Sequence, residues 1–210
     1  MSPAAAYILI AGAAYLLGSI PFGLILVWLV RGQDVRQSGS GNIGATNVAR
    51  TGGTGLGILT LVLDALKGYL AVILAMLLSR RVSGTDLALA MALSALCAIL
   101  GHVFPIWLRL RGGKGVATAV GAFVGLAPRA VLIVLAVFLI IVAIFRYVSL
   151  GSIVGSAIFP LTVLVLDRGR ISTASLIVTF AASLLIILKH KANIQRLLSG
   201  TENRLQFHKS

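Results

Sequence analysis

The chain has 210 residues, 59% of them hydrophobic and only 11% charged, with a mean hydropathy of +1.04. Soluble domains run at roughly 45–50% apolar and about 25% charged, so a water-soluble globule, a disordered tail and a disulfide scaffold are all excluded. Lysine and arginine number 18 against 5 acids, a net charge of +13; in so apolar a chain these cations read as residues that stop and orient membrane helices, and no nucleic-acid partner is expected.

Crossing about 30 Å of hydrocarbon takes around twenty apolar residues in a helix. Residues 1–30 carry no charge. The run is too long, and lacks the basic start, for a cleaved signal peptide, so a first spanning helix is predicted over 4–30. A second follows over 54–79, interrupted by Asp64 and Lys67, and a third over 87–108. The fourth, 115–128, is short and reads as tilted or half-embedded. Pro128 and Arg129 separate it from a fifth over 130–145; a sixth covers 148–166 and a seventh 171–188. The fold is therefore expected to be an all-α polytopic membrane bundle of seven transmembrane helices, with six as the fallback, in a single domain over 1–210. Seven spans put the termini on opposite sides. Loops two, four and six hold five basic residues (Arg80, Arg81, Arg129, Arg168 and Arg170), whereas the other loops and the tail hold twelve. The positive-inside rule then places the N-terminus outside and the C-terminus in the cytoplasm.

The polar chemistry concentrates in four segments on that inner side. In loop one, Ser40, Gly41 and Asn42 precede Gly44, Thr46, Asn47 and Arg50. Glycines let a backbone approach a ligand closely. A short helix starting after Ser40 would set Asn42, Thr46 and Arg50 four apart on one face, a donor set suited to phosphate; an interfacial loop whose glycines only make turns is the alternative. Gly39, Gly41 and Gly44 fit G-x-G-x-x-G, but no strand precedes them, which rules out a dinucleotide fold. Loop three carries Gly112, Gly113, Lys114 and Gly115, with Thr118 one turn further on. It is not a Walker A loop, since Leu108 and Gly115 stand where that pattern needs Gly and Ser/Thr. A lysine among glycines at a helix start still suits an anion. The alternative is a topology lysine in a flexible turn.

Elsewhere, Ser149 and Ser152 share a helical face at the start of the sixth helix, or else bond back to their own helix. His190 and Asn193 have the same spacing in the tail. His102 reads as a structural, hydrogen-bonded histidine. Asp64 and Lys67, three apart inside the second helix, are expected to pair and face the bundle interior as a brace. Five acids do not make a carboxylate metal cage. Cys97, the one cysteine, is read as packing and permits neither a disulfide nor a cysteine metal site within the chain. No cofactor, no metal and no obligate protein partner are expected.

Three motifs carry a family resemblance: SGSGNIGATNVAR (38–50), GHVFPIWLRLRGGKGVAT (101–118) and RYVSLGS (146–152). With the DxxKG of the second helix and the HxxN of the tail, the chain resembles the bacterial integral-membrane glycerol-3-phosphate acyltransferases that use acyl phosphate as donor. One departure is visible, RLRGGKG where the family pattern has phenylalanine-lysine before the glycines; Arg111 keeps a basic residue there. The resemblance implies transfer of a fatty acyl group from acyl phosphate to the 1-hydroxyl of sn-glycerol 3-phosphate. Lysophosphatidic acid and phosphate would leave, at the cytoplasmic face of a bacterial inner membrane.

It also implies that Ser40, Asn42, Thr46, Asn47 and Arg50 bind phosphate in the first motif, beside Gly41. Gly113, Lys114, Gly115 and Thr118 would do so in the second. Ser149 or Ser152 would reach ligand in the third, and His190 and Asn193 would contact glycerol phosphate. Glu202 resembles a position of structural importance. His102, His190 and His208 all lack the aspartate of the HxxxxD acyltransferases, so direct attack without an acyl-enzyme is expected. Ser40, Arg50, Lys114 and His190 would act in catalysis, and His190 or a phosphate oxygen of the acceptor would take the proton. The competing reading is a transporter or channel for a phosphorylated metabolite, which would carry its polar groups to the midplane, often in broken helices. A lipid-head-group-binding structural protein is a third.

Overall fold

The computed structural model describes residues 1–167, 169 and 171–205. Arg168, Arg170, His208 and Lys209, used above for topology or as candidate histidine chemistry, lie outside the described residues. The chain divides into two compact units, Met1–Leu126 and Ala127–Ser210.

The first unit contains α1 (Pro3–Gly18), α2 (Phe22–Arg31), α3 (Ala45–Gly52), α4 (Thr54–Ser79), α5 (Leu87–Val103) and α6 (Val116–Val124). The predicted first helix is broken into α1 and α2. Pro21 has no N–H to continue the ladder, and it pushes Ile20 away from helical geometry. Ser19 closes α1 with its N–H and Oγ both on the Tyr15 carbonyl, at 2.9 and 2.7 Å. The Ile20 carbonyl at the break accepts from the Phe22 N–H at 3.1 Å and from Lys67 Nζ at 2.7 Å. Lys67 also lies 2.7 Å from Asp64 Oδ1, with both side chains buried. The pair expected inside α4 is thus formed, and it faces inward.

Small residues set the distances between these helices, as in membrane bundles generally. A side chain on Gly18 would strike the Ala98 carbonyl of α5, and one on Gly101 the Tyr15 carbonyl of α1. A side chain on Gly68 would strike the Thr118 carbonyl of α6, and one on Gly121 the Ala65 carbonyl of α4. Helix α6 has nine residues, about 13 Å of helix. That is too short to cross the hydrocarbon alone, so the fourth predicted span is not a full-length helix. Its short length follows from where it begins. Thr118 meets α4 at Gly68, about 21 Å along α4 from Thr54.

The second unit contains α7 (Pro128–Phe145), α8 (Val148–Leu166), α9 (Thr173–Lys189) and α10 (Lys191–Leu198). Pro128 starts α7 in the first turn, where its missing N–H costs nothing. Gly151 and Gly155 of α8 pack against Phe138 and Val134 of α7. Ser172 caps α9 by accepting from the Ser175 N–H at 3.1 Å. His190 ends α9, and α10 departs at 55°.

Among the described residues, five segments are long and apolar enough to span: Pro3–Arg31, Thr54–Ser79, Leu87–Leu108, Pro128–Phe145 and Val148–Leu166. The bent pair α9–α10 makes a sixth. The fold is an all-α polytopic bundle with five to six candidate spans where seven were expected.

The α4–α6 contact makes a direct test. Gly121→Ala places a methyl group against the Ala65 carbonyl and is expected to lower the melting temperature in detergent, a loss of about 1–3 kcal/mol. Gly12→Ala, where nothing lies within 4 Å, should leave it unchanged or slightly raised.

Candidate active site

Loop one is organised by one buried side chain. Asn47 Nδ2 points at the carbonyls of Val35, Ser38 and Asn42 at 3.1, 3.1 and 2.8 Å, while its Oδ1 accepts from the Ser40 N–H at 2.8 Å. An amide with both ends engaged in its own loop braces that loop. Gly39 adopts φ +62°, and a side chain there would strike Asn47 Oδ1; only glycine lets the loop close on its brace. Asn42 Oδ1 accepts from the Gly44 N–H at 2.8 Å, an Asx turn that leads into the helix. The helix expected after Ser40 starts instead at Ala45. Asn42 therefore lies outside it, and only Thr46 and Arg50 share a helical face. Ser40 and Arg50 are exposed, and Thr46 is half-buried.

Loop three folds back on the end of α5. The Gly112 N–H donates to the Val103 carbonyl at 3.2 Å and the Gly113 N–H to the His102 carbonyl at 3.0 Å. Tyr15 Oη donates to the Phe104 carbonyl at 2.7 Å, pinning the loop to α1. Leu108 inserts among Val27, Val35, Ile43 and Val48. Loops one and three are thus joined by one small apolar cluster, and within this unit the two glycine-rich segments lie at the same end. Lys114 is half-buried. Gly113, Gly115 and Thr118 are buried, and Thr118 Oγ1 has no hydrogen-bond partner among the described residues. Arg109, Leu110 and Arg111 of loop three are exposed, whereas Gly113 and Gly115 turn inward. Gly113 sits on the His102 ring, whose Nδ1 is 3.6 Å from Asp64 Oδ1 in α4. Sequence reasoning treated His102 and Asp64 separately; no periodicity relates positions 38 residues apart on different helices.

The second unit builds its polar end around Glu202. Its Oε1 accepts from Ser149 Oγ and Asn193 Nδ2, each at 2.7 Å, and its Oε2 from Arg196 Nε at 2.7 Å. Burial raises the Glu202 pKa, but the Ser149, Asn193 and Arg196 donors outweigh it and hold the carboxyl below its ordinary 4.5. Ser149 and Asn193, expected at ligand, are thus fixed by a carboxylate between them. Ser152 bonds back to the Val148 carbonyl at 2.9 Å, the alternative weighed for it. The tail returns to the junction of α7 and α8, with the Leu205 N–H donating to the Arg146 carbonyl at 2.7 Å. His190 is buried, and its Nδ1 lies 2.8 Å from the Ile186 carbonyl. A carbonyl only accepts, so the Nδ1 that faces it carries a proton. Among the described residues no three His, Cys, Asp or Glu side chains are grouped to hold a metal.

The Glu202 hub predicts an acid limb in stability. The depressed carboxyl stabilises the fold fully above pH 4.5, and that contribution is lost as pH falls through the lower folded value. Glu202→Gln keeps the shape but gives up charge-assisted bonds worth about 1.5–3 kcal/mol each. It should melt lower at neutral pH and show a shallower decline below pH 4.5. Identical acid limbs in the two proteins would remove the hub.

Comparison with known proteins agrees in both units. The family model described as Glycerol-3-phosphate acyltransferase matches residues 8–200. A glycerol-3-phosphate acyltransferase of Syntrophotalea carbinolica is 49% identical over 195 residues, covering 92% of this chain and 95% of that protein. One from Trichlorobacter lovleyi is 50% identical over 197 residues, covering 94% and 96%. The crystal structure of PlsY (YgiH), an integral membrane glycerol 3-phosphate acyltransferase, in its glycerol 3-phosphate form is 37% identical. It superposes with a TM-score of 0.86, covering 95% of this chain and 96% of that one. The lysophosphatidic acid form gives 0.82 at 35% identity, covering 95% of each. A multi-pass helical bundle with these motifs and these relatives belongs to the glycerol-3-phosphate acyltransferase family of integral membrane enzymes.

Proposed function

We propose that this enzyme transfers a fatty acyl group from acyl phosphate to the 1-hydroxyl of sn-glycerol 3-phosphate, releasing lysophosphatidic acid and inorganic phosphate. The observation that carries the reading is the meeting of two glycine-rich, cation-bearing segments at one end of the first unit, in a family with relatives solved in glycerol 3-phosphate and lysophosphatidic acid forms. Both substrates are anions. Ser40, Gly41, Asn42, Thr46 and Arg50 offer hydroxyl, amide and guanidinium donors to one phosphate, and Asn47 keeps their loop closed. Gly113, Lys114, Gly115 and Thr118 offer backbone and ammonium donors. In the second unit, Glu202 presents Ser149 and Asn193, and Ser152 stands one turn from Ser149. The reading uses no cofactor and no metal.

Chemically, the acceptor hydroxyl oxygen attacks the acyl carbonyl carbon. The bond from that carbon to the phosphate oxygen breaks, and phosphate departs with the electron pair. Acyl phosphate is already activated, so catalysis consists of positioning and of stabilising the negative charge on the carbonyl oxygen and leaving phosphate. Lys114 and Arg50 suit that charge. The hydroxyl proton goes to His190 or to a phosphate oxygen of the acceptor.

We place the site at the cytoplasmic face of a bacterial inner membrane. In the first unit the polar end carries Arg31, Arg36, Arg50, Arg109, Arg111 and Lys114, against Arg80 and Arg81 at the other end. In the second, among the described residues, Arg146, Lys189, Lys191, Arg196 and Arg204 oppose Arg129. The positive-inside rule assigns each polar end to the cytoplasm. We also carry seven crossings, with the N-terminus outside and the short segment 115–128, tilted or half-embedded, as the fourth. Because the family match runs through both units, residues 1–210 act as one acyltransferase domain.

The test is phosphate release by the purified full chain. Release should require both acyl phosphate and sn-glycerol 3-phosphate, and lysophosphatidic acid should form in equal amount. Lys114→Ala is expected to lower kcat/KM by about 10²–10³-fold. His190→Ala should lower kcat at saturating acceptor; near-normal turnover would assign the proton to the acceptor's phosphate instead. Trapping a covalent acyl-protein would overturn direct attack, and glycerol phosphate uptake into vesicles without a donor would favour a transporter.

A further inference from the structure

One buried polar cluster has no part in the scheme above. Asp64 and Lys67 are paired, and Lys67 Nζ is tied to the Ile20 carbonyl and lies 5.6 Å from the Phe22 ring centroid. His102 is different. It is 4% exposed, and its Nδ1 lies 3.6 Å from Asp64 Oδ1 without a hydrogen-bond partner among the described residues. A buried polar edge held this way costs stability, and an apolar side chain of similar size would fill the same space at less cost. The other edge of the ring lies under Gly113. A side chain there would collide with His102 Nε2, and would lie 2.9 Å from both Cδ2 and Cε1. The Gly113 N–H also donates to the His102 backbone carbonyl at 3.0 Å. The peptide that leads into Lys114 is therefore seated on an imidazole whose opposite edge faces a carboxylate.

We propose that His102, oriented by Asp64, is a positioning residue that sets the height of the Gly113–Lys114 peptide and so the direction in which Lys114 presents its charge. The inference rests on the reading that Lys114 meets a substrate phosphate. It explains why Gly113 is glycine, since the ring occupies the space of its side chain. It also explains why a histidine one residue from the end of a membrane helix points inward, away from water.

Two half-mimics of the ring separate seating from mere packing. Asparagine carries an amide where the ring has Nδ1, and glutamine reaches the place of Nε2. Both substrates are varied in turn for the purified full chain, with melting in detergent followed in parallel. In His102→Asn the KM for one of the two phosphates should rise about tenfold, with kcat held within about threefold. His102→Gln should keep KM within about threefold of the unaltered enzyme. Gly113→Ala should abolish most activity in the parent chain, yet cost at least about tenfold less in a His102→Ala background, where the methyl group enters the vacated space. Equal KM values for the Asn and Gln variants, or the same Gly113→Ala loss in both backgrounds, would overturn the proposal. If His102→Ala does not fold, the Asn and Gln comparison decides by the same criterion. Should Lys114→Ala leave both KM values unchanged, the anion-binding reading fails by itself. The seat is then still judged by melting temperature: non-additive losses at 102 and 113 support it, and additive losses overturn it.

Discussion

A lysine buried in hydrocarbon governs the first unit. A charge at such a depth is tolerated only with a partner, and a backbone carbonyl there must be satisfied by protein. Lys67 meets both needs at once. It pairs with Asp64 and donates to the Ile20 carbonyl, which also accepts from the Phe22 N–H at 3.1 Å. The helix break at 19–21 and the charge pair in α4 are thus tied together by one ammonium group. The break lets α2 diverge from α1. A side chain on Gly23 of α2 would strike the Ile43 carbonyl, so loop one packs directly on the diverging helix. The geometry of the candidate site traces back to that ammonium group.

Four of the five acids are spent on structure. Asp34 is engaged by Arg36, Asp64 by Lys67, Asp86 caps α5 by accepting from the Leu89 N–H, and Glu202 gathers Ser149, Asn193 and Arg196. Lysines and arginines outnumber acids 18 to 5, so such pairing leaves an excess of cation. A site for two phosphate-bearing substrates benefits from this balance. Each carboxylate near a phosphate would repel it, whereas a carboxylate already bonded to two or three donors is shielded and orients those donors.

Much of this was legible in the residues. The charge-free runs located the long helices, and the spacing of Asp64 and Lys67 predicted their pairing. The glycine-rich motifs marked both loops that meet at Leu108. What was not legible depends on tertiary contact. The nine-residue length of α6 reflects how deeply loop three enters, and that depth is fixed by Gly68 and Gly121 touching carbonyls on the neighbouring helix. Asn47 looked like a ligand because its type and spacing suit phosphate; only the folded loop shows its amide saturated by Val35, Ser38, Ser40 and Asn42. His102 was passed over because a lone histidine near a helix end carries no pattern that links it to Asp64 or to Gly113.

The same device recurs at both polar ends. Asn47 closes loop one, the His102 ring lies beneath loop three, and Glu202 fixes Ser149 and Asn193. Each is a buried polar group placed behind the residues suited to meet substrate. An acyl phosphate needs little covalent help, so the rate depends on donors already aimed where charge develops, without the cost of reorganising at the moment of transfer. Flexible glycine-rich loops supply close backbone approach but cannot by themselves hold an aim. Glycine in the loop and a buried polar side chain behind it resolve that conflict: one gives access to the anion, and the other removes the freedom that access would otherwise bring.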